Sequence, residues 1–173
     1  MGLIFTDENR SCSFDFSNAL WATDQLNKIY HNAKLSRLSD VDFIAETAEL
    51  LLFVEYKNAV MPDAAHPEHF NPVREDKLEK VAKKYWDSMM YALMAGKGRE
   101  KRKIFVYVLE YPFGDKVARG AIRSALTRKL PFLLQKENPE LMRIIDEVFV
   151  ITIDEWNQLF EYFPATALYK NRK

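Results

Sequence analysis

The sequence predicts an α/β (α+β) domain with elements in the order α-β-β-α-β-α-β-α. Three observations lead there. Helical and strand-like hydrophobic periodicities alternate along the chain, four short runs are rich in β-branched and aromatic residues, and no internal repeat or linker interrupts them. The chain has 173 residues, 48% hydrophobic and 29% charged, which is enough for one core and too apolar for disorder. It reads as a single domain spanning residues 1–173, an α/β or α+β sheet covered on both faces.

Each element has its own signal. Over residues 18–33, Ala19, Ala22, Leu26, Ile29, Tyr30 and Ala33 recur at three- and four-residue steps, so a helix is expected, with Ser17 or Asn18 as its cap. The period then changes to two over residues 40–47 and 50–57, giving two strands. A polar loop bearing Pro62, Pro67 and Pro72 follows. Residues 75–95 carry the clearest helix, with Leu78, Val81, Ala82, Tyr85, Met89, Leu93 and Met94 in one stripe and Gly96 and Gly98 to stop it. The run Ile-Phe-Val-Tyr-Val-Leu at 104–109 is a strand buried on both faces. A helix over 115–129 ends before Pro131, a strand occupies 148–153, and a short helix from Asp154 to Phe163 closes the order.

The net charge is zero, but it is unevenly spread. Residues 1–60 hold nine acids against five bases, whereas residues 97–136 hold three acids against eleven lysines and arginines. An acidic first third with a basic middle fits a cation site combined with a polyanionic partner, and also a solvated helix face plus a loop, which charge alone favours. No uncharged apolar run approaches the roughly 20 residues that span a bilayer, so no membrane is expected. The N-terminus reaches Asp7 too early for a signal peptide, and the single cysteine, Cys12, provides no disulfide framework or zinc cage. A soluble, cytoplasmic protein is the expectation.

The chemistry concentrates in residues 39–57. If the reversal lies between Ala48 and Glu49, paired residue numbers sum to 97. Val41 then faces Tyr56, Phe43 faces Val54 and Ala45 faces Leu52, a wholly apolar face suited to a helix. The other face pairs Ile44 with Phe53, Asp42 with Glu55, and Asp40 with Lys57. A one-residue slip would mix the two faces, so the pattern favours this register, although the turn lacks the Gly or Asn of a tight hairpin. Opposed carboxylates about 5 Å apart repel, and they need protons or a cation. Oxygen ligands of this kind suit Mg²⁺ or Mn²⁺, with waters and a substrate phosphate completing the shell. Lys57 lies two residues beyond Glu55 on the same face, where it can serve an attacking water or offset charge on a phosphate. The plainer alternative is a surface cluster at two strand ends, with Asp40 bridging Lys57.

Asp42, followed by an apolar strand ending in Glu55-Tyr56-Lys57, resembles the Asp…Glu-x-Lys signature of the PD-(D/E)XK nuclease superfamily, whose core is restriction-endonuclease-like, a central mixed β-sheet flanked by helices on both faces. The likeness covers residues 18–110. It implies that Asp42 and Glu55 ligate a Mg²⁺ or Mn²⁺ ion, that the Tyr56 carbonyl adds a ligand, and that Lys57 serves the attacking water. It further implies a nuclease hydrolysing phosphodiester bonds in DNA or RNA, with nucleic acid as partner and a homodimer as one arrangement of the chain. A catalytically inactive scaffold that binds nucleic acid or a protein is the alternative. The first helix shows no clear inward glutamate, Val41 stands where the conventional proline would, and Asp40 competes with Asp42 as ligand. A second Glu-x-Lys, Glu75-Asp76-Lys77, begins a helix with no apolar strand before it and does not qualify.

Other candidates carry less. His66-Pro-Glu-His69 sits in a proline-bearing loop without further Cys or His ligands, and His31 lies near a helix end. The segment Lys97-Gly-Arg-Glu-Lys-Arg-Lys103 has no phosphate-loop glycine spacing and reads as a basic connector. Lys116, Arg119 and Arg123 form one stripe of the helix at 115–129, either a track for nucleic-acid phosphates or a solvated face. No serine or cysteine nucleophile is supported.

Overall fold

A computed structural model describes residues 2–60 and 71–169. His66, His69, Pro62 and Pro67 lie outside the described residues. The architecture is mixed α/β with two sheets. Strands β1 (Ile4–Thr6), β2 (Cys12–Asp15) and β8 (Ala165–Ala167) form a small antiparallel sheet in the order β1-β2-β8. The main sheet runs β3-β4-β5-β6-β7, from β3 (Trp21–Thr23), β4 (Phe43–Glu46), β5 (Leu50–Asn58), β6 (Arg102–Glu110) and β7 (Glu147–Ile151). β3, β4 and β5 are mutually antiparallel, while β5, β6 and β7 are parallel.

The hairpin has the expected register: Phe43 pairs with Val54, Ile44 with Phe53 and Ala45 with Leu52. Its faces are covered differently from the expectation. Phe43, Ala45, Leu52 and Val54 pack against the small sheet and α5 (Ile153–Leu159), where Phe14, Phe16 and Trp156 are fully buried. Phe14 meets the Phe43 ring at 5.1 Å and the Trp156 ring edge-on at 5.3 Å. The acid-bearing face, with Ile44 and Phe53, lies instead under α1 (Leu26–Asn32), α2 (Glu75–Met94) and α3 (Lys116–Thr127). One face of the main sheet is therefore helical, and the other carries a second sheet and one helix.

Local sequence accounts for most boundaries. α2 buries Leu78, Ala82, Tyr85, Met89 and Ala92 along one stripe. It ends where Gly96 takes φ +69°, with Lys97 N–H donating to Ala92 O and Gly96 N–H to Leu93 O, the paired bonds of a glycine C-terminal motif. Asp115 caps α3 by accepting from Ala118 N at 2.7 Å, and Thr152 with Glu155 forms a reciprocal capping box on α5.

The expected helix over 18–33 divides. Residues Trp21–Thr23 form β3 on the edge of β4, and only Leu26–Asn32 is helical, with Gln25 rather than Ser17 or Asn18 at its N-cap. Sheet pairing, with Ala22 opposite Ala45, overrides the weak helical periodicity there. Strands β1, β2 and β8 and the short helix α4 (Phe132–Glu137) add to the expected order, and the first hairpin strand starts at Phe43 rather than at residue 40.

Candidate functional site

Three groups on α2 pull the chain off the sheet just before β4. Asp87 Oδ2 accepts from Ser39 N at 2.7 Å, the Asp87 carbonyl accepts from Tyr30 OH at 2.6 Å, and the fully buried Ser88 accepts from Val41 N through Oγ at 3.0 Å. Val41 consequently joins the helical side of the core rather than lying opposite Tyr56 in the ladder. The Asp42 side chain takes the vacated position, its Oδ2 accepting from Tyr56 N at 2.7 Å. In a continued antiparallel ladder Val41 N–H would bond the Tyr56 carbonyl, which shares the side of the strand its N–H faces. That N–H is committed to Ser88, so the Tyr56 carbonyl faces the same cleft as Asp42.

Glu55 stands beside Asp42 on β5 and is 6% exposed. Lys84, from the flank of α2, places Nζ 2.7 and 2.9 Å from the two Glu55 oxygens. These residues line a cleft of about 130 Å³ with Lys57, Asn58 and the β1–β2 loop residues Asp7 and Glu8. A neighbouring hollow shares Asp7, Glu8 and Asp42 and adds Asp24 and Asp40. Six carboxylates and two lysines thus line the two hollows between them. Asp7 is structural: its Oδ1 accepts from Ser11 N and Cys12 N at 2.6 Å each and so closes the β1–β2 loop.

Desolvation governs the protonation of the cleft. Burial pushes Asp42 up to about 6 against the pull of Lys84 and of the Tyr56 N–H. Burial, and then the Asp42 charge, push Glu55 up to about 8, with Lys84 opposing. For Lys84 burial disfavours the charge, but Glu55 and Asp42 outweigh it and hold the ammonium above its ordinary value. Asp40 is also raised, first by burial, and it accepts from Asn27 Nδ2 at 3.2 Å. Burial before mutual repulsion therefore inclines Asp42, Glu55 and Asp40 to keep their protons.

Asp42, Glu55 and Tyr56 come together as the sequence suggests. Lys57 lines the cleft but is exposed, and it makes no ion pair with Asp40 among the described residues. On α3, Arg119 is drawn into the fold: it donates to Glu155 at 2.6 Å and to the Gly114 carbonyl. Arg123 lies over the Phe149 ring at 5.6 Å, and Lys116 is exposed, so the expected stripe of three does not present three free cations. Sequence reasoning missed Lys84, Ser88 and Glu8. The available signal was on α2, where Lys84 and Ser88 lie four residues apart beside the apolar stripe, an i,i+4 pair of polar groups on a half-buried flank.

Among the described residues no three acidic, histidine or cysteine side chains form a ready metal cage. A divalent ion here would rest on Asp42, Glu55 and the Tyr56 carbonyl. The donor set fits a Mg²⁺-like ion, which keeps several waters and needs few protein oxygens. Comparison of the chain with protein-family models, with curated proteins and with solved structures yields no match. Among the described residues no helix is long and apolar enough to cross a membrane.

Proposed function

We propose that the protein is a divalent-metal-dependent phosphodiesterase acting on DNA or RNA, a member of the PD-(D/E)XK nuclease group. The observation that carries this reading is the convergence of Asp42, Glu55 and Tyr56 in a cleft that Lys57 and Lys84 also line. Asp42 and Glu55 would hold Mg²⁺ or Mn²⁺, with the Tyr56 carbonyl as third oxygen. When bound, such an ion polarises a phosphoryl oxygen and acidifies water. The chain's own groups do the rest. Lys57 projects from the cleft mouth, where its ammonium can donate to a non-bridging phosphate oxygen and offset the charge that develops there. Lys84 orients the Glu55 carboxylate, while Ser88 and the Tyr56 N–H hold Asp42 at its height.

The test is a cleavage panel of single- and double-stranded DNA and RNA with Mn²⁺ or Mg²⁺, beside calorimetric titration of Mn²⁺. Wild type should cut at least one substrate, and Asp42→Asn and Glu55→Gln should abolish both cleavage and Mn²⁺ binding. Absence of Mn²⁺ binding by the wild type overturns the reading.

One observation favours a second reading, a catalytically inactive scaffold that binds nucleic acid or a protein. Lys84 reaches both Glu55 oxygens and so supplies internally the cation that the carboxylates require. Binding that survives EDTA and Glu55→Gln, without cleavage, would select it.

A further inference from the structure

A second hollow opens at the other end of the main sheet, where β6 begins. It encloses about 620 Å³, within the range of small-ligand pockets, and is lined by Arg99, Lys101, Arg102, Lys103 and Arg143 against Glu100 and Asp146. The register places Lys103 opposite Leu51 and Tyr107 opposite Glu55, so about 13 Å of strand separates the hollow from the acid cleft.

Lys103 is the unusual member. It is 4% exposed, and its ammonium, at the tip that still reaches solvent, makes no hydrogen bond or ion pair among the described residues. Asp146 pulls on it but is shared, because one carboxylate oxygen accepts from the Lys103 backbone N–H at 2.8 Å and the other meets Arg143 Nε at 3.1 Å. Arg102 is engaged with Glu147 at 2.8 Å and Lys101 with Glu46 at 3.3 Å, whereas Arg99 has no such partner among the described residues. Burial first, and then the nearby Arg143, lower the Lys103 pKa against the pull of Asp146. Arg143 also lines an adjoining hollow of about 300 Å³ with Lys136, Pro139 and Leu141. Leu141 and Met142 are 43% and 59% exposed, so the cationic floor has an apolar rim.

We propose that this hollow is a binding site for a nucleoside phosphate, the phosphate seated on Lys103, Arg143 and Arg99 and the base against Met142, toward the Leu141 rim of the adjoining hollow. The ligand is either a free nucleotide or the phosphorylated end of a nucleic-acid strand, since both present the same phosphate and base. An arriving phosphate gives Lys103 an ion pair of its own beside the shared Asp146, and the guanidinium of Arg143 offers it a forked contact.

The experiment is calorimetric titration of the full chain with adenosine monophosphate and, separately, with a short 5′-phosphorylated DNA oligonucleotide. Binding of the mononucleotide assigns the free ligand, and binding of the oligonucleotide alone assigns the strand end. In either case Lys103→Met and Arg143→Gln should each weaken binding about tenfold or more, since each removes a charge-assisted contact. Arg99→Gln, on an exposed side chain, gives the same comparison without a folding burden. Asp42→Asn should leave this binding unchanged, which separates the site from the acid cleft and from any failure of the nuclease reading. Binding of neither probe overturns the proposal, and so does binding that none of the three basic-site variants weakens.

Discussion

Asp42→Asn removes the acid while preserving its structural bond, because an asparagine oxygen still accepts from Tyr56 N–H. Asp42 has a folded pKa of about 6 against an ordinary 3.8, raised chiefly by burial. Folding therefore prefers the protonated acid. Its contribution to stability is intact below the unfolded pKa, is lost as the pH rises through the folded pKa, and is level above it. At about 1.4 kcal/mol per pH unit, the gap between 3.8 and about 6 corresponds to about 3 kcal/mol in all, of which about 1.4 falls between pH 5 and pH 8. The variant lacks this term, so without added metal it should gain on the wild type by that amount as the pH rises. Glu55 adds to the effect, because the Asp42 charge is one of the causes holding its pKa up. Other carboxylates titrate the opposite way, among them Glu46, whose pKa is lowered, but they are common to both proteins and cancel in the difference. Urea unfolding followed by tryptophan fluorescence, with Trp156 fully buried, measures both proteins across the range. Mn²⁺ should reverse the order, adding about 2.7 kcal/mol to the wild type alone at a hundredfold excess over its dissociation constant. Parallel pH profiles for wild type and variant would refute the account of the cleft, because they would mean that Asp42 is not desolvated beside a second acid.

The remaining expectations concern the supports and the mouth of the cleft. Lys57→Ala should leave stability within about 0.5 kcal/mol, since the side chain is exposed. It should also lower phosphodiester cleavage about a hundredfold with little change in Mn²⁺ affinity; a loss of Mn²⁺ binding would place Lys57 in a different role. Ser88→Ala leaves the buried Val41 N–H without its acceptor and should cost about 1–3 kcal/mol in urea unfolding, with weaker Mn²⁺ binding because Asp42 follows Val41. Gly98→Ala should cost about 1–3 kcal/mol, measured the same way. Gly98 holds φ +69°, its added Cβ would lie 2.5 Å from Leu51 Cδ2, and its N–H donates to the buried Glu46 at 2.9 Å.

Legibility followed the range of the interaction. The hairpin register could be read because a single slip would exchange Phe43, Ala45, Leu52 and Val54 for Asp42 and Glu55 across the sheet, a large cost that the pattern itself records. α2 was legible for the same reason, with five buried residues at helical spacing and a glycine stop. The strands β1, β2, β3 and β8 were not, since each is three or four residues long and exists only through its neighbours. Trp21–Thr23 carries no decisive alternation, and its fate is set by β4 twenty residues away. The site divides along the same line. Glu55 takes its face from the alternation of β5, whereas Lys84 reaches Glu55 from an element 29 residues further on, and Asp42, outside the paired rungs 43–46, is set by Ser88 through Val41. On α2, Lys84 and Ser88 stand out only as a polar i,i+4 pair beside the apolar stripe, because nothing within the helix records that the chain at 39–41 climbs toward it. The step that makes the cleft is thus a competition for one N–H. If Val41 stayed in the ladder, Tyr56 would be satisfied by backbone and Asp42 would have no reason to lean across β5. With Val41 bound to Ser88, the Asp42 carboxylate substitutes for a backbone carbonyl, and in doing so it brings a second acid to within Coulombic reach of Glu55.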